Sequence, residues 1–281
     1  MPVSLPETSA ADAGDAAFER RFGGVARLLG AQGAARLRSA RFTVVGIGGV
    51  GSWTAEALAR SGVGALTLVD MDHIAESNIN RQVHALDSTL GAAKGAAMAD
   101  RIAGIAPDCA VTLVDDFITP ENAADLLPED GVIVDAIDQP RAKAAMIALC
   151  RSRGQALVVC GGAGAVIDVL SLRKADLCRT RGDPLLASVR ARLRREHGFP
   201  REAGRSFGVQ ALYFEAQRVA GQACSIEAGA PLACAGYGSL VTVTGALGFA
   251  AAALAIEATL AVRKPPKARR TDPAAVAQPA D

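Results

Sequence analysis

The chain has 281 residues, 50 % apolar and 21 % charged, enough for one large or two small α/β domains with a sizeable core. Thirty Lys and Arg against 29 Asp and Glu leave a formal charge of +1, so no global field recruits nucleic acid and only a local patch could do so. Six cysteines with no C-x-x-C pair argue against a zinc knuckle or a redox motif. The opening stretch "MPVSLPETSAADAGDAAFE", without Lys, Arg or an apolar run, fails as a secretory signal, so the expected location is cytoplasmic.

Residues 1–17 are expected to be disordered. From Arg41 onward, short apolar runs alternate with helical stretches. "RFTVVGI" reads as a strand and "VGSWTAEALARSGV" as the helix after it. "ALTLVD" is a second strand ending on Asp70, and "KGAAMADRIAGIAP" is an amphipathic helix stopped by Pro107. "CAVTLVDDF", "GVIVDAID" and "ALVVCGG" complete five strands, with the helix "QPRAKAAMIALCRSRG" between the last two. Such a chain predicts a Rossmann-like, doubly wound, mainly parallel α/β sheet with its ligand at the carboxyl ends of the strands.

Beyond Gly161 the regularity weakens. Nine arginines lie between Arg173 and Arg205, most of them in "DLCRTRGDPLLASVRARLRREHGFPREAGR", which reads either as a solvated helix face or as a contact for an RNA backbone. Gly236 to Val262 is apolar, with Glu257 as its one charge. It is long enough to cross a membrane, but its Gly, Ser and Thr content favours burial in a core or at a dimer interface. The expected folded unit is residues 18–262, with a C-terminal extension and long apolar helix, followed by a Pro-rich disordered tail, 263–281.

Gly46, Gly48 and Gly51 fit G-x-G-x-x-G between a strand and a helix, a phosphate-binding turn, and Asp70 stands where a carboxylate accepts ribose hydroxyls. Alone, this turn suits a nicotinamide or flavin enzyme as well as any other. Downstream, "DMDHIAESNINRQVHA" places Asp72, Asn78, Asn80, Arg81 and Gln82 in a polar loop, and Lys94 opens the next helix. A hydride-transfer enzyme has little use for these cations. A triphosphate gives Arg81 and Lys94 work, neutralising phosphates and a pyrophosphate leaving group. Asp138, ending "VIVDAID", faces the same crevice and suits Mg2+. Each residue also has a plain reading, Arg81 and Lys94 as surface charges and Asp138 as a cap on the helix near Pro140.

The loop "GIGGVGS", the stretch "SNINRQ", Lys94 and "DAID" together resemble the ubiquitin-activating-enzyme-like superfamily of adenylating enzymes. That resemblance implies ATP as cofactor, with Gly48, Gly49 and Asp70 on the adenosine, Asn80, Arg81 and Lys94 on the phosphates, and Asp138 on the metal. "FERRFGGVARLLG", "INRQVHAL", "VDDFITPEN", "GGAGAVIDV" and "DPLLASVRARLRREHG" are similar to the bacterial tRNA threonylcarbamoyladenosine dehydratases, from Phe18 to Val262. The implied reaction is ATP-dependent activation of the threonine carboxylate of a modified adenosine in tRNA, followed by ring closure. The implied catalytic residues are Arg81, Lys94 and Asp138, with Arg190 to Arg195 steering the anticodon arm. The resemblance also implies a homodimer and links to a cysteine desulfurase and its sulfur-acceptor protein. Cys234 is expected to be a buried small residue rather than a sulfur-handling thiol. The alternative is an enzyme activating a ubiquitin-like sulfur-carrier protein, whose relatives typically carry paired C-x-x-C zinc ligands that this chain lacks.

Overall fold

The computed structural model describes residues 10–202, 204–216, 218 and 238–261. Seven strands form a single sheet in the order β3-β2-β1-β4-β5-β7-β6: β1 Arg41–Val45, β2 Ala65–Val69, β3 Ala110–Val114, β4 Val132–Asp135, β5 Ala156–Cys160, β6 Leu172–Asp176 and β7 Gln210–Phe214. All neighbours pair in parallel except β6 and β7. The mainly parallel expectation holds, but the sheet has two strands more than expected. "LRKAD" is an edge strand whose charged residues hide its period, and "QALYF" is a buried run too short to stand out from its surroundings.

The helices are α1 Ala10–Ser39, α2 Gly51–Arg60, α3 Lys94–Ile105, α4 Ala123–Leu126, α5 Pro140–Arg153, α6 Pro184–Glu196 and α7 Val241–Leu260. Helix α1 kinks at Gly30, where φ is 73°, and it starts at Ala10, inside the stretch expected to be disordered. That stretch carries the Ala-rich "AADAGDAA", whose side chains lose little entropy in a helix.

Strand periodicity sorts the core into two layers. Val44, Val134, Val158 and Cys160 face α2 and α7, whereas Val45 and Ile133 meet Met146 and Cys150 of α5. Val159 joins Leu186, Val189 and Leu193 of α6. Both faces of the central strands are covered, so β1 and β4 read as continuous apolar runs. Strand order reverses direction between β1 and β4, which opens a crevice at their carboxyl ends.

Candidate active site

The glycine loop is built by close approach. Gly46 has φ 86°, and a Cβ there would lie 2.8 Å from Ile137 Cγ2 and 3.1 Å from the Ala136 carbonyl. A Cβ on Gly51 would fall 1.8 Å from the Gly46 carbonyl oxygen, so glycine alone lets the loop fold back onto the first turn of α2. At Gly48 a Cβ would meet nothing within 4 Å. This side of the loop is open to a ligand, and no side chain caps the N-terminus of α2. At Gly49 a Cβ would lie 3.2 Å from Thr244 Cγ2 and 3.4 Å from the Arg81 side chain, so Arg81 stands against the loop.

Asp70 follows β2 and ties the loop to the next strand. Its carboxylate accepts the Ile47 amide at 2.6 Å and the Asp72 amide at 2.9 Å. Burial raises its pKa, and the Lys94 charge and the two amide bonds oppose that rise. Lys94, buried at the start of α3, donates from Nζ to Asp72 Oδ2 at 2.7 Å. An ammonium carries three donors, so the remaining two are available to phosphate oxygens.

The polar loop divides its labour. Asn78 is buried in a 3-10 turn and accepts the Ala75 amide on its own side chain, bracing that turn. Asn80 Nδ2 donates to the Ser239 carbonyl at 3.1 Å. Arg81 Nη1 donates to Ser77 O at 2.6 Å and to Asn80 Oδ1 at 2.9 Å, while the carbonyl of Arg81 accepts Trp53 Nε1 from α2. Gln82 is buried with Oε1 unpartnered among the described residues. Close by in sequence, His84 is 2 % exposed, with neither ring nitrogen bonded to another described residue. Burial, reinforced by the charges of Lys94 and Arg101, holds its pKa down at about 4.

Asp138 lies on the loop between β4 and α5, partly buried, and its side chain makes no hydrogen bond or ion pair with another described residue. It does not cap α5: the N-cap is Gln139, and no side chain bonds there. Its donor set fits magnesium, which keeps several waters and binds through one or two carboxylates plus phosphates. Among the described residues no three His, Cys, Asp or Glu side chains group to hold a metal by themselves.

The sequence reading passed over the pair beneath that loop. Asp135 and Lys143 are both 0 % exposed in their side chains and lie 2.6 Å apart. Lys143 also donates to the Cys160 carbonyl at 3.0 Å, and Asp135 Oδ1 accepts the Ile137 amide at 3.3 Å. Together they stitch β4, α5 and β5 directly below the loop carrying Asp138. Lysine amid Ala, Met and Ile in "RAKAAMIAL" was the available signal, because a lysine on an apolar helix face needs a buried partner.

The arginines of α6 do not face the crevice. Asp183 caps α6 and accepts the Gly162 amide at 2.9 Å, so the helix starts at the carboxyl edge of the sheet and runs away from it. Arg192 to Arg195 therefore lie most of its ~20 Å length away. Arg192 and Arg195 pair with Glu196, and Arg194 covers the Phe207 ring.

Helix α7 is apolar and long enough to span a membrane, with mean hydropathy 1.7, and 44 % of that stretch is buried. A Cβ on Gly248 would meet Val50 O at 2.6 Å, and Thr54 Oγ1 donates to the Gly248 carbonyl at 3.1 Å. This helix forms the back wall of the glycine loop, in keeping with a buried rather than a spanning role. Gly236, Tyr237 and Val262 of the apolar stretch lie outside the described residues, as do Cys224 and Cys234.

The sequence matches the ThiF family over residues 24–273. It is 43 % identical to the tRNA threonylcarbamoyladenosine dehydratase of Escherichia coli (strain K12), covering 87 % of this chain and 95 % of that one. The fold is similar to the crystal structure of the E. coli tRNA N6-threonylcarbamoyladenosine dehydratase in complex with ATP, with a TM-score of 0.78 at 40 % identity over 91 % of this chain and 98 % of the other. The same E. coli enzyme in complex with AMP gives a TM-score of 0.80 at 41 % identity over 92 % and 98 %.

Proposed function

The chain belongs to the ThiF family and, within it, to the tRNA threonylcarbamoyladenosine dehydratases, and from that premise we propose how its crevice carries out the reaction. The enzyme uses ATP to activate the threonine carboxylate of N6-threonylcarbamoyladenosine at position 37 of tRNA as an acyl adenylate. A carboxylate oxygen bonds to the α-phosphorus as the bond to pyrophosphate breaks. A nucleophile already present in the modified side chain then attacks the activated carbonyl, and AMP leaves. The net change is loss of one water from the nucleoside with ATP converted to AMP and pyrophosphate. Because the second step is intramolecular, proximity supplies much of its rate and no protein nucleophile is required.

The observation that carries this reading is the convergence of Arg81 and Lys94 on an open phosphate loop. Arg81 packs on Gly49, and Lys94 is held by Asp72, which follows Asp70 on the far side of the same loop. In the proposed complex the loop from Gly46 to Gly51 cradles phosphates, Asp70 orients the ribose, and Asn80 sets the Arg81 guanidinium. Arg81 and Lys94 neutralise the charge growing on the pyrophosphate. Asp138 would hold Mg2+, which when bound neutralises phosphate oxygens. Asn78 acts in this scheme by fixing the turn that carries Arg81, and the Gln82 backbone amide closes that turn on the Asn78 carbonyl.

Of the partners implied by the resemblance, tRNA is the one the reaction needs, in a cytoplasmic setting. A homodimer and a cysteine desulfurase with its sulfur-acceptor protein are further expectations of the resemblance, and membrane attachment rests only on the apolar length of α7. Replacing Lys94 by Ala is expected to lower kcat for cyclisation by roughly 10²–10³-fold, as loss of one preorganised cationic donor does, with the circular dichroism spectrum unchanged. Full activity in a folded Lys94→Ala protein would remove Lys94 from the mechanism.

A further inference from the structure

The proposed substrate is a polyanion, yet most cations of the basic segment are already committed. Arg192 and Arg195 close on Glu196, Arg205 on Glu202, and Arg194 on Phe207 and the Pro200 carbonyl. Arg190 donates to Thr180 Oγ1, and burial with the charge of Arg194 lowers its pKa. Arg179 and Arg181 differ, as does Arg201 after α6. All three are exposed, and none makes an ion pair or hydrogen bond with another described residue.

The presentation of Arg179 and Arg181 is built into the fold. Thr180 between them is 3 % exposed, donates to Leu177 O at 3.0 Å and accepts from Arg190. With the middle residue anchored inward, the two flanking arginines are turned to solvent. The segment also runs toward the crevice side. Leu177 bonds the backbone at Val209, before β7, whereas Gly182 lies against Glu215 and Ala216, just past the carboxyl end of β7.

A third arginine adjoins them. Arg173 is paired across strands with Tyr213; among the described residues it faces the exposed Glu215 at 3.6 Å and donates to the Leu170 and Leu172 carbonyls, leaving part of its guanidinium to solvent. Arg181 precedes Gly182, which lies against Glu215 and Ala216, so Arg173 and Arg181 both stand near the residues that follow β7. Strand β6 stands three positions from β4, a lateral spacing of ~14 Å between this edge of the sheet and the strand that leads to Asp138. A nucleotide seated at the crevice as part of an RNA chain brings flanking phosphates to that distance. Arg192, Arg194 and Arg195, in the last turns of α6, lie toward the opposite edge.

We propose that Arg179 and Arg181, held out by the buried Thr180 and joined by Arg173, form the phosphate-contact surface for the tRNA backbone. This rests on the function proposed above. Backbone phosphate contacts supply affinity that falls with salt, by roughly 0.9 in the log–log slope for each phosphate neutralised on a duplex.

The test measures binding of threonylcarbamoyladenosine-containing tRNA over a salt series, KM and kcat for cyclisation, and ATP affinity, for wild type, Arg179→Ala/Arg181→Ala and Arg192→Ala/Arg195→Ala. The first double variant is expected to weaken tRNA binding at least tenfold, reduce the salt slope by roughly 2 and raise KM, with kcat and ATP affinity unchanged. The second is expected to bind tRNA as wild type does. An active wild type alongside unchanged tRNA affinity in Arg179→Ala/Arg181→Ala overturns the surface and leaves the function standing. A wild type that binds ATP but neither binds nor cyclises the tRNA overturns both.

Discussion

On the β2–β1–β4 side of the sheet, ionic side chains stand at the carboxyl edge with part of their hydrogen-bonding capacity unused, whereas around α5 and the distal half of α6 they close onto their own neighbours. Lys94 spends one donor on Asp72, Arg81 spends one nitrogen on Ser77 and Asn80, and Asp138 bonds nothing described. Lys143 makes three polar contacts, to the Asp135 carboxylate, its carbonyl and the Cys160 carbonyl, and Arg192 and Arg195 share Glu196. The same residue types thus do different work: where capacity remains, a ligand can be bound, and where it is exhausted, elements are held together. Counting charges along the sequence does not separate the two cases.

The sharpest way to break that comparison is at the buried pair. Lys143→Met leaves Asp135 charged and unpaired at 0 % exposure, and should cost about 3–5 kcal/mol of stability, read as a lower urea midpoint. Adding Asp135→Asn removes the orphaned charge and should restore part of the loss. If Lys143→Met unfolds at the wild-type midpoint, the pair is not the stitch described above.

The next effect concerns pH. The pKa of His84 is about 4 in the fold against 6.5 for the free side chain, so between these values the unfolded chain binds the extra proton. Stability from the neutral imidazole is therefore full above pH 6.5 and is lost as pH falls through 4, in total about 3 kcal/mol. His84→Leu should lose less stability than wild type between pH 7 and pH 4.5. Parallel losses in the two proteins would mean that His84 is not held neutral by its burial beside Lys94 and Arg101. The smallest effect is expected at the far edge, where Arg192→Ala/Arg195→Ala should change stability by no more than about 0.5 kcal/mol, as exposed pairs do.

Much of this was readable from residues. The runs "RFTVV", "ALTLV" and "ALVVC" have the β-branched, continuous apolar character of strands buried on both faces, and Gly46 and Gly51 stand where only a missing Cβ allows the turn. Arg81 and Lys94 were legible as candidates because they are cations in and after the polar loop that follows β2, with Lys94 opening α3. What could not be read depends on distant pairing. Strand β6 carries adjacent charges, Arg173 and Lys174, because it is an edge, and β7 lies between β5 and β6. The expectation that Arg190 to Arg195 guide the anticodon arm finds no support in the direction of α6, which starts at the carboxyl edge and carries Arg192 to Arg195 away from the crevice. Asp135 was overlooked in favour of Asp138, three residues on, because its partner sits on the following helix.

The central claim is that the open half of the sheet activates the carboxylate of a tRNA nucleoside. Its most direct test is to incubate the purified chain with ATP, magnesium and tRNA bearing threonylcarbamoyladenosine, digest the tRNA and weigh the nucleosides. The account predicts a nucleoside lighter by one water, formed only with ATP and accompanied by AMP. An unchanged nucleoside, together with adenylation of a ubiquitin-like sulfur-carrier protein under the same conditions, would contradict it.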